Sequence, residues 1–274
     1  MKTTPVTAKR VNPLFAGGKK WGAARGSILK FGIIGILGLA IVLMGSQSAR
    51  SEEASGDNWE FSASAYMWGA SIGGEPAAGG DIDIDFSDLL DNMNFAFMGS
   101  FGANKGKWGF LTDVIYMDVE DDDNDVLGPG LTLSDVELKA WIVTPMITYR
   151  VLQSDRVELN ILAGARYLYL KAELEIEPLP KSSDSGDVWD GIVGIRGSIV
   201  VNEKWYMPFH FDIGAGDTDL TWQAFGGIGY KFSSFDLVAG YRYLTWEFDD
   251  DDTGGDTFND LDISGPMVGV KFVF

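Results

Sequence analysis

The sequence predicts an all-β protein, a transmembrane antiparallel up-and-down β-barrel of ten strands, with eight or twelve as the neighbouring even counts. Three observations lead there: apolar and polar residues alternate with period two almost throughout, the alternating segments are about ten residues or longer, and short turns are interleaved with long acidic links. Strands of soluble domains usually run five or six residues, whereas a tilted strand needs about ten to cross a bilayer.

The alternation places side chains on two faces. In "WEFSASAYMW", Trp59, Phe61, Ala63, Ala65 and Met67 oppose Glu60, Ser62, Ser64 and Tyr66. "NFAFMGSFGA" sets Phe95, Phe97, Gly99 and Phe101 on one face, and "RVELNILAGARYLYL" does so with Val157, Leu159, Ile161, Ala163, Ala165, Tyr167 and Tyr169. In "WYMPFHFDIG", Trp205, Met207, Phe209, Phe211 and Ile213 oppose Tyr206, Pro208, His210 and Asp212. The expected segments are 58–70, 92–104, 107–119, 135–150, 156–172, 188–201, 204–214, 220–232, 235–247 and 262–274. Between them "NKGK", "LQSD", "NEK" and "SS" make short turns, and acidic links occupy the other end, "AGDTD" being the brief exception. Pro145 and Pro266 fit only near bulges or where a neighbour does not need the missing donor.

Residues 1–49 precede the barrel domain, 50–274. They carry Lys2, Lys9, Arg10, Lys19, Lys20, Arg25 and Lys30, no acidic residue, and the apolar run "FGIIGILGLAIVLMG" before "SQSA". That layout is a secretory signal peptide with cleavage near Ala49, and fifteen apolar residues fall short of the roughly 20 that span a bilayer as a helix. Removing it takes away seven cations and moves the net charge from 21 − 40 = −19 to 14 − 40 = −26. So acidic a chain repels nucleic acid and favours cations. With no cysteine, no disulfide supports it.

The chain ends on "MVGVKFVF", an apolar strand that would be a hazardous edge in an open sheet. Closure against the first strand covers it and turns Val268, Val270, Phe272 and Phe274 to lipid. Trp59, Trp108 and Trp205 begin strands beside short turns, while Tyr116, Tyr169 and Tyr243 lie near the far ends, the arrangement of two interfacial girdles. "GDTDLTWQAFGGIGYKF", "LVAGYRYLTWEF" and "LAGARYLYL" resemble a family of small uncharacterised Gram-negative outer-membrane β-barrel proteins. The C-terminal strand likewise resembles the signature that barrel-assembly machinery recognises. The resemblance implies the outer membrane, with both termini periplasmic and with membrane lipid and lipopolysaccharide as neighbours.

Inward positions include Glu60, Asp113, Glu158, Arg166, Asp190, Arg196, His210, Asp212, Lys231, Asp236, Arg242 and Lys271. Both signs point inward, which predicts an ion-pair network filling a narrow lumen, because an unpaired buried charge is costly. A lining for a small pore is the functional counterpart. Tyr206, Phe225 and Leu168 also point inside, so a wide porin is not expected.

The expected role is structural or that of a narrow channel, and no enzyme. The alternative is an omptin-like rim hydrolase, for which "DIDID" (81–85) and "HFD" offer Asp-x-Asp and His210 with Asp212. This His precedes its Asp and lies close to the "NEK" turn, far from the first external loop, which departs from that family's pattern. In the last link, Asp249, Asp251, Thr253 and Asp260 align with calcium-loop positions 1, 3, 5 and 12, with Gly254 at 6. This is compatible with weak Ca2+ or Mg2+ binding, against a simple solvated acidic loop; no other cofactor is expected.

Overall fold

A computed structural model of the chain describes residues 58–76, 82–84, 87, 93–121, 125–128, 131–177, 182–248 and 258–274. The signal segment and most of the "DDDDTGGDTFND" run lie outside them. The strands are β1 (Trp59–Trp68), β2 (Ser71–Pro76), β3 (Ile82–Ile84), β4 (Met93–Lys105), β5 (Trp108–Asp121), β6 (Asp125–Gly128), β7 (Leu131–Gln153), β8 (Val157–Glu177), β9 (Ser182–Val200), β10 (Trp205–Gly216), β11 (Leu220–Lys231), β12 (Asp236–Glu247) and β13 (Phe258–Val273). Ten of them, in the order β1-β4-β5-β7-β8-β9-β10-β11-β12-β13, form a closed antiparallel up-and-down barrel. Closure is the β1–β13 pairing, which runs from Ser62 opposite Val273 to Trp68 opposite Met267.

The strands form because their alternation suits two different surroundings. Outward positions such as Trp59, Phe95, Trp108, Ile147, Val193 and Val268 are 49–61% exposed. A surface this apolar on a closed cylinder belongs in hydrocarbon, where only helices and closed barrels satisfy every backbone polar group. Aromatic side chains border it at both ends. On the loop side Tyr116 meets Phe95 and Trp141 at 5.9 and 4.5 Å, Tyr167 meets Trp189 at 4.7 Å, and Trp222 meets Tyr243 at 4.7 Å. On the turn side Trp108 meets Tyr149 and Trp205 meets Tyr230, both at 4.8 Å, and Phe61 stacks on the terminal Phe274 at 6.2 Å.

Turn chemistry fixes the register of the hairpins. Gly106, φ 60°, is the first residue of the two-residue β4–β5 turn, where a type II′ geometry needs glycine. In the β9–β10 turn the Asn202 Oδ1 accepts from the backbone N–H groups of Lys204 and Trp205 at 3.0 and 2.9 Å. The two prolines sit where ladders are interrupted. The β7–β8 pairing passes from Val143–Tyr167 to Met146–Gly164 across Pro145, and beside Pro266 the edge of β13 passes from β1 to β2.

The strands depart from the expected segments on the loop side. β7 and β8 run to 23 and 21 residues, β2 and β3 extend the sheet from β13, and β6 pairs with β7. Above the girdle no lipid demands an apolar face, so backbone pairing continues through polar sequence. There the outward-facing Lys139 pairs with Glu137, and Lys171 with Glu173.

Candidate functional site: the lumen

Inward parity along ten strands brings the lumen residues together in three levels. On the loop side, Trp68, Met98, Ile115, Met117, Ala140, Ile142, Leu168, Leu244, Trp246, Leu261 and Ile263 form one buried apolar cluster. It draws on β1, β4, β5, β7, β8, β12 and β13, and Leu244 and Trp246 are wholly inaccessible. Arg166 on β8 meets Trp246 on β12, and Arg242 on β12 meets Asp113 on β5, strands four places apart in a ring of ten, so side chains from facing walls meet and the cluster makes a plug.

The wall of β8, β10 and β11 is polar at the same depth. The Arg166 guanidinium donates to Asp212 Oδ1 at 2.6 Å and to Thr221 Oγ1 at 2.8 Å, and the Thr221 hydroxyl in turn donates to the Thr245 carbonyl at 2.8 Å. The other Asp212 oxygen lies 2.6 Å from His210 Nε2. Arg166, Asp212 and Thr221 are fully buried, and Arg166 lies over the Trp246 ring at 6.0 Å. Asp190, also buried, accepts from the Thr218 amide and hydroxyl at 3.0 and 2.9 Å and caps the β10–β11 turn. The buried Arg166–Asp212 pair is held by charge-assisted bonds that offset its desolvation.

Below the plug, Arg242 reaches across the lumen. It donates to Asp113 at 2.9 Å, to Tyr66 at 3.0 Å and to Gln223 at 2.6 Å, and its guanidinium lies 4.8 Å from the Trp68 ring. The Tyr66 hydroxyl closes the circuit by donating to Asp113 at 2.8 Å. Nearer the turns, Tyr206 donates to Asp236 at 3.1 Å and Lys231 lies over the Tyr206 ring at 5.5 Å. Between these groups and the turn-side mouth is a cavity of about 320 Å³ lined by Glu60, Glu158, Arg196, His210 and Lys271 among others.

Of the twelve residues expected inside, Glu60, Asp113, Glu158, Arg196, His210, Arg242 and Lys271 line the cavity and Arg166, Asp190, Asp212 and Asp236 are buried, in separate clusters. Arg166, Asp212 and His210 converge, as do Arg242 and Asp113, while Asp190 binds a turn and Arg196 and Lys271 line the cavity. Sequence reasoning missed Tyr66, Gln223, Thr221, Trp68 and Trp246 as partners. Inward parity marks each of them, but only the register shows which charge each one meets.

The hydrolase constellation does not assemble among the described residues. His210 is the sixth residue of the twelve-residue β10 and faces the lumen beside Asp212, whose other oxygen is taken by Arg166. Asp83 lies on β3, which pairs with β2 beyond the closed cylinder, and Asp81 and Asp85 are outside the described residues. Of the calcium-loop alignment, Asp249, Asp251 and Thr253 are likewise outside, and Asp260 stands in strand β13 opposite Glu247. Among the described residues no three acidic or histidine side chains converge on a metal position.

No family model matches the chain, and no curated protein matches it. Among solved structures it is similar to the outer membrane protease OmpT from Escherichia coli, at 11% identity over 83% of this chain and 100% of that one, TM-score 0.42. It is also similar to the attachment invasion locus protein Ail of Yersinia pestis, at 14% identity over 80% and 99%, TM-score 0.38. Neisserial surface protein A aligns at 16% identity over 81% and 99%, TM-score 0.34. Alignments at this level carry nothing about activity. The closed cylinder, its apolar outer belt and its two aromatic girdles decide the architecture by themselves. The fold is that of an outer-membrane β-barrel. Among the described residues no helix is long and apolar enough to cross a membrane.

Proposed function

We propose that this outer-membrane barrel is a structural, non-enzymatic protein whose lumen does not conduct. One observation carries the reading: the plug around Trp246 and Leu244, contributed by seven strands and sealed on the remaining wall by the buried Arg166–Asp212 pair. Water and ions pass a lumen only where it is polar and roomy, and a fully inaccessible indole between leucines is neither. In this reading residues 1–49 direct export, the C-terminal strand engages the assembly machinery, and the turn-side ends of β1 and β13 put both termini in the periplasm. The acidic links face outward, where they bind Ca2+ or Mg2+ weakly and meet lipopolysaccharide. Single-channel recording in planar bilayers tests the central point. A stable stepwise conductance of the wild-type barrel would replace this reading with that of a narrow channel.

A further inference from the structure

The cavity on the turn side differs from the rest of the molecule in its charge. The chain as a whole carries −19, yet the cavity is lined by four cations, Arg150, Arg196, Arg242 and Lys271, against three carboxylates, Glu60, Asp113 and Glu158, a net of 4 − 3 = +1. Two of those carboxylates are already engaged. Asp113 holds Arg242 and Tyr66, and Glu158 lies 3.9 Å from Arg150 and accepts from the Asn160 amide at 2.9 Å.

Arg196 and Lys271 have no such partner: among the described residues neither makes an ion pair or a side-chain hydrogen bond. They stand on different walls. Arg196 on β9 lies in register between Asn160 and His210, and Lys271 on β13 between Ser64 and Asp236. Lys271 feels Arg196 as a like charge and Asp236, Glu158 and Glu60 as opposite ones, and Arg196 feels Glu158 and Asp113, with none of these carboxylates in an ion pair with either cation. Carboxylates at that remove offset part of the charge but leave the direct contacts of both cations to be met by an anion between them. Serine hydroxyls of β1 and β9, Ser62, Ser64 and Ser198, line the same space as further donors.

We propose that Arg196 and Lys271 bind a small oxyanion, the carboxylate or phosphate group of a ligand that enters from the turn side. The guanidinium supplies a planar fork for two oxygens and the ammonium a point charge from the opposite wall. A volume near 320 Å³ is at the low end for small-molecule sites and suits a compact ligand rather than a chain. The proposal rests on the closed lumen in one respect: with the plug above it, the ligand enters and leaves by one mouth, and the site is a receptor pocket instead of a step along a channel.

The test uses the mature chain folded in lipid nanodiscs, titrated at constant ionic strength with sodium acetate or inorganic phosphate in place of chloride. The Arg196 side-chain and Asn160 amide resonances are followed by NMR. Saturable shifts are expected. Arg196→Gln and Lys271→Gln should each weaken the binding read at Asn160 by about tenfold, the loss of one charge-assisted contact. Lys204→Gln, in the β9–β10 turn, should leave it unchanged. The stronger of the two probes separates a carboxylate ligand from a phosphate one. Shifts that stay linear with concentration, or saturable binding that is equal in Arg196→Gln, Lys271→Gln and wild type, would overturn the site. A barrel that conducts and still binds would remove the closed-lumen reading alone, and a silent barrel with no saturation would remove the site alone.

Discussion

The two halves of the lumen are made by the same ten strands and differ in the size and polarity of what those strands point inward. On β1 the inward series is Ser62 and Ser64 toward the turns, then Tyr66 and Trp68 toward the loops; on β4 it is Asn104, Gly102 and Ser100, then Met98; on β5 the charged Asp113 gives way to Ile115 and Met117. Small polar residues leave a cavity and large apolar ones fill it, so closure is decided one side chain at a time while backbone pairing continues unchanged. Two arginines border the plug, Arg166 beside it and Arg242 below it, each tied to a carboxylate from another strand and each lying over a plug tryptophan. These two pairs tie the plug to the wall, whereas Arg196 and Lys271 line the cavity.

The largest effect that separates the two halves should come from the buried pair. Arg166→Met leaves Asp212 in the wall without its guanidinium, which should cost about 3–5 kcal/mol, whereas Ser64→Ala in the cavity should stay within about 0.5 kcal/mol. Urea unfolding of the barrel in lipid vesicles, followed by tryptophan fluorescence, measures both. The double variant Arg166→Met with Asp212→Leu should recover most of the loss, because a well-packed apolar pair often replaces a buried ion pair without penalty. Equal losses in the single and double variants would show that the site tolerates no apolar replacement.

A smaller effect comes from close approach. A Cβ on Gly269 would lie 2.5 Å from the Tyr66 Cβ and 2.8 Å from the Ala65 carbonyl, while one on Gly226 would meet nothing within 4 Å. Gly269→Ala should therefore cost about 1–3 kcal/mol in the same unfolding assay, since it pushes on the tyrosine that Arg242 and Asp113 hold. Gly226→Ala should be close to neutral.

Much of this was legible beforehand, for a physical reason. Period-two alternation is local, and the contrast between lipid and lumen imposes it on every strand, so the ten strands, the turn-side hairpins and the inward set from Glu60 to Lys271 follow from pattern alone. The loop-side extensions of β7 and β8 and the strands β2, β3 and β6 did not, because above the bilayer pairing no longer needs an apolar face. The partners inside the lumen were equally hidden. Arg242 and Tyr66 are 176 residues apart, and their bond depends on closure, register and side-chain reach together. "HFD" read as a possible dyad does bring His210 to Asp212, but Arg166, 46 residues earlier in the chain and two strands away, is what occupies the other oxygen of that carboxylate.

The smallest effect lies outside both halves, on the outer face of β7. The hydrogen bond from Lys139 to Glu137 holds its ammonium above the ordinary lysine range, with Asp118 acting in the same direction against partial desolvation. A raised value means that the pair's contribution is complete below the unfolded lysine pKa of about 10.4 and is lost as pH rises through the folded value. NMR titration of the Lys139 ammonium should show this, and Glu137→Gln should move its midpoint down. An unchanged midpoint would assign the shift to Asp118 instead.

The central claim is that side chains near Trp246 close the lumen, and single-channel recording of the wild type beside a Trp246→Ala, Leu244→Ala double variant tests it most directly. Both substitutions remove fully buried volume from the plug, so the variant should open a path between the cavity and the loop side. The account predicts a silent wild-type barrel and discrete conductance steps in the variant, with both proteins folded by heat-modified gel mobility. Equal conductance in the two would contradict it, because ions would then be passing by a route that the plug does not control.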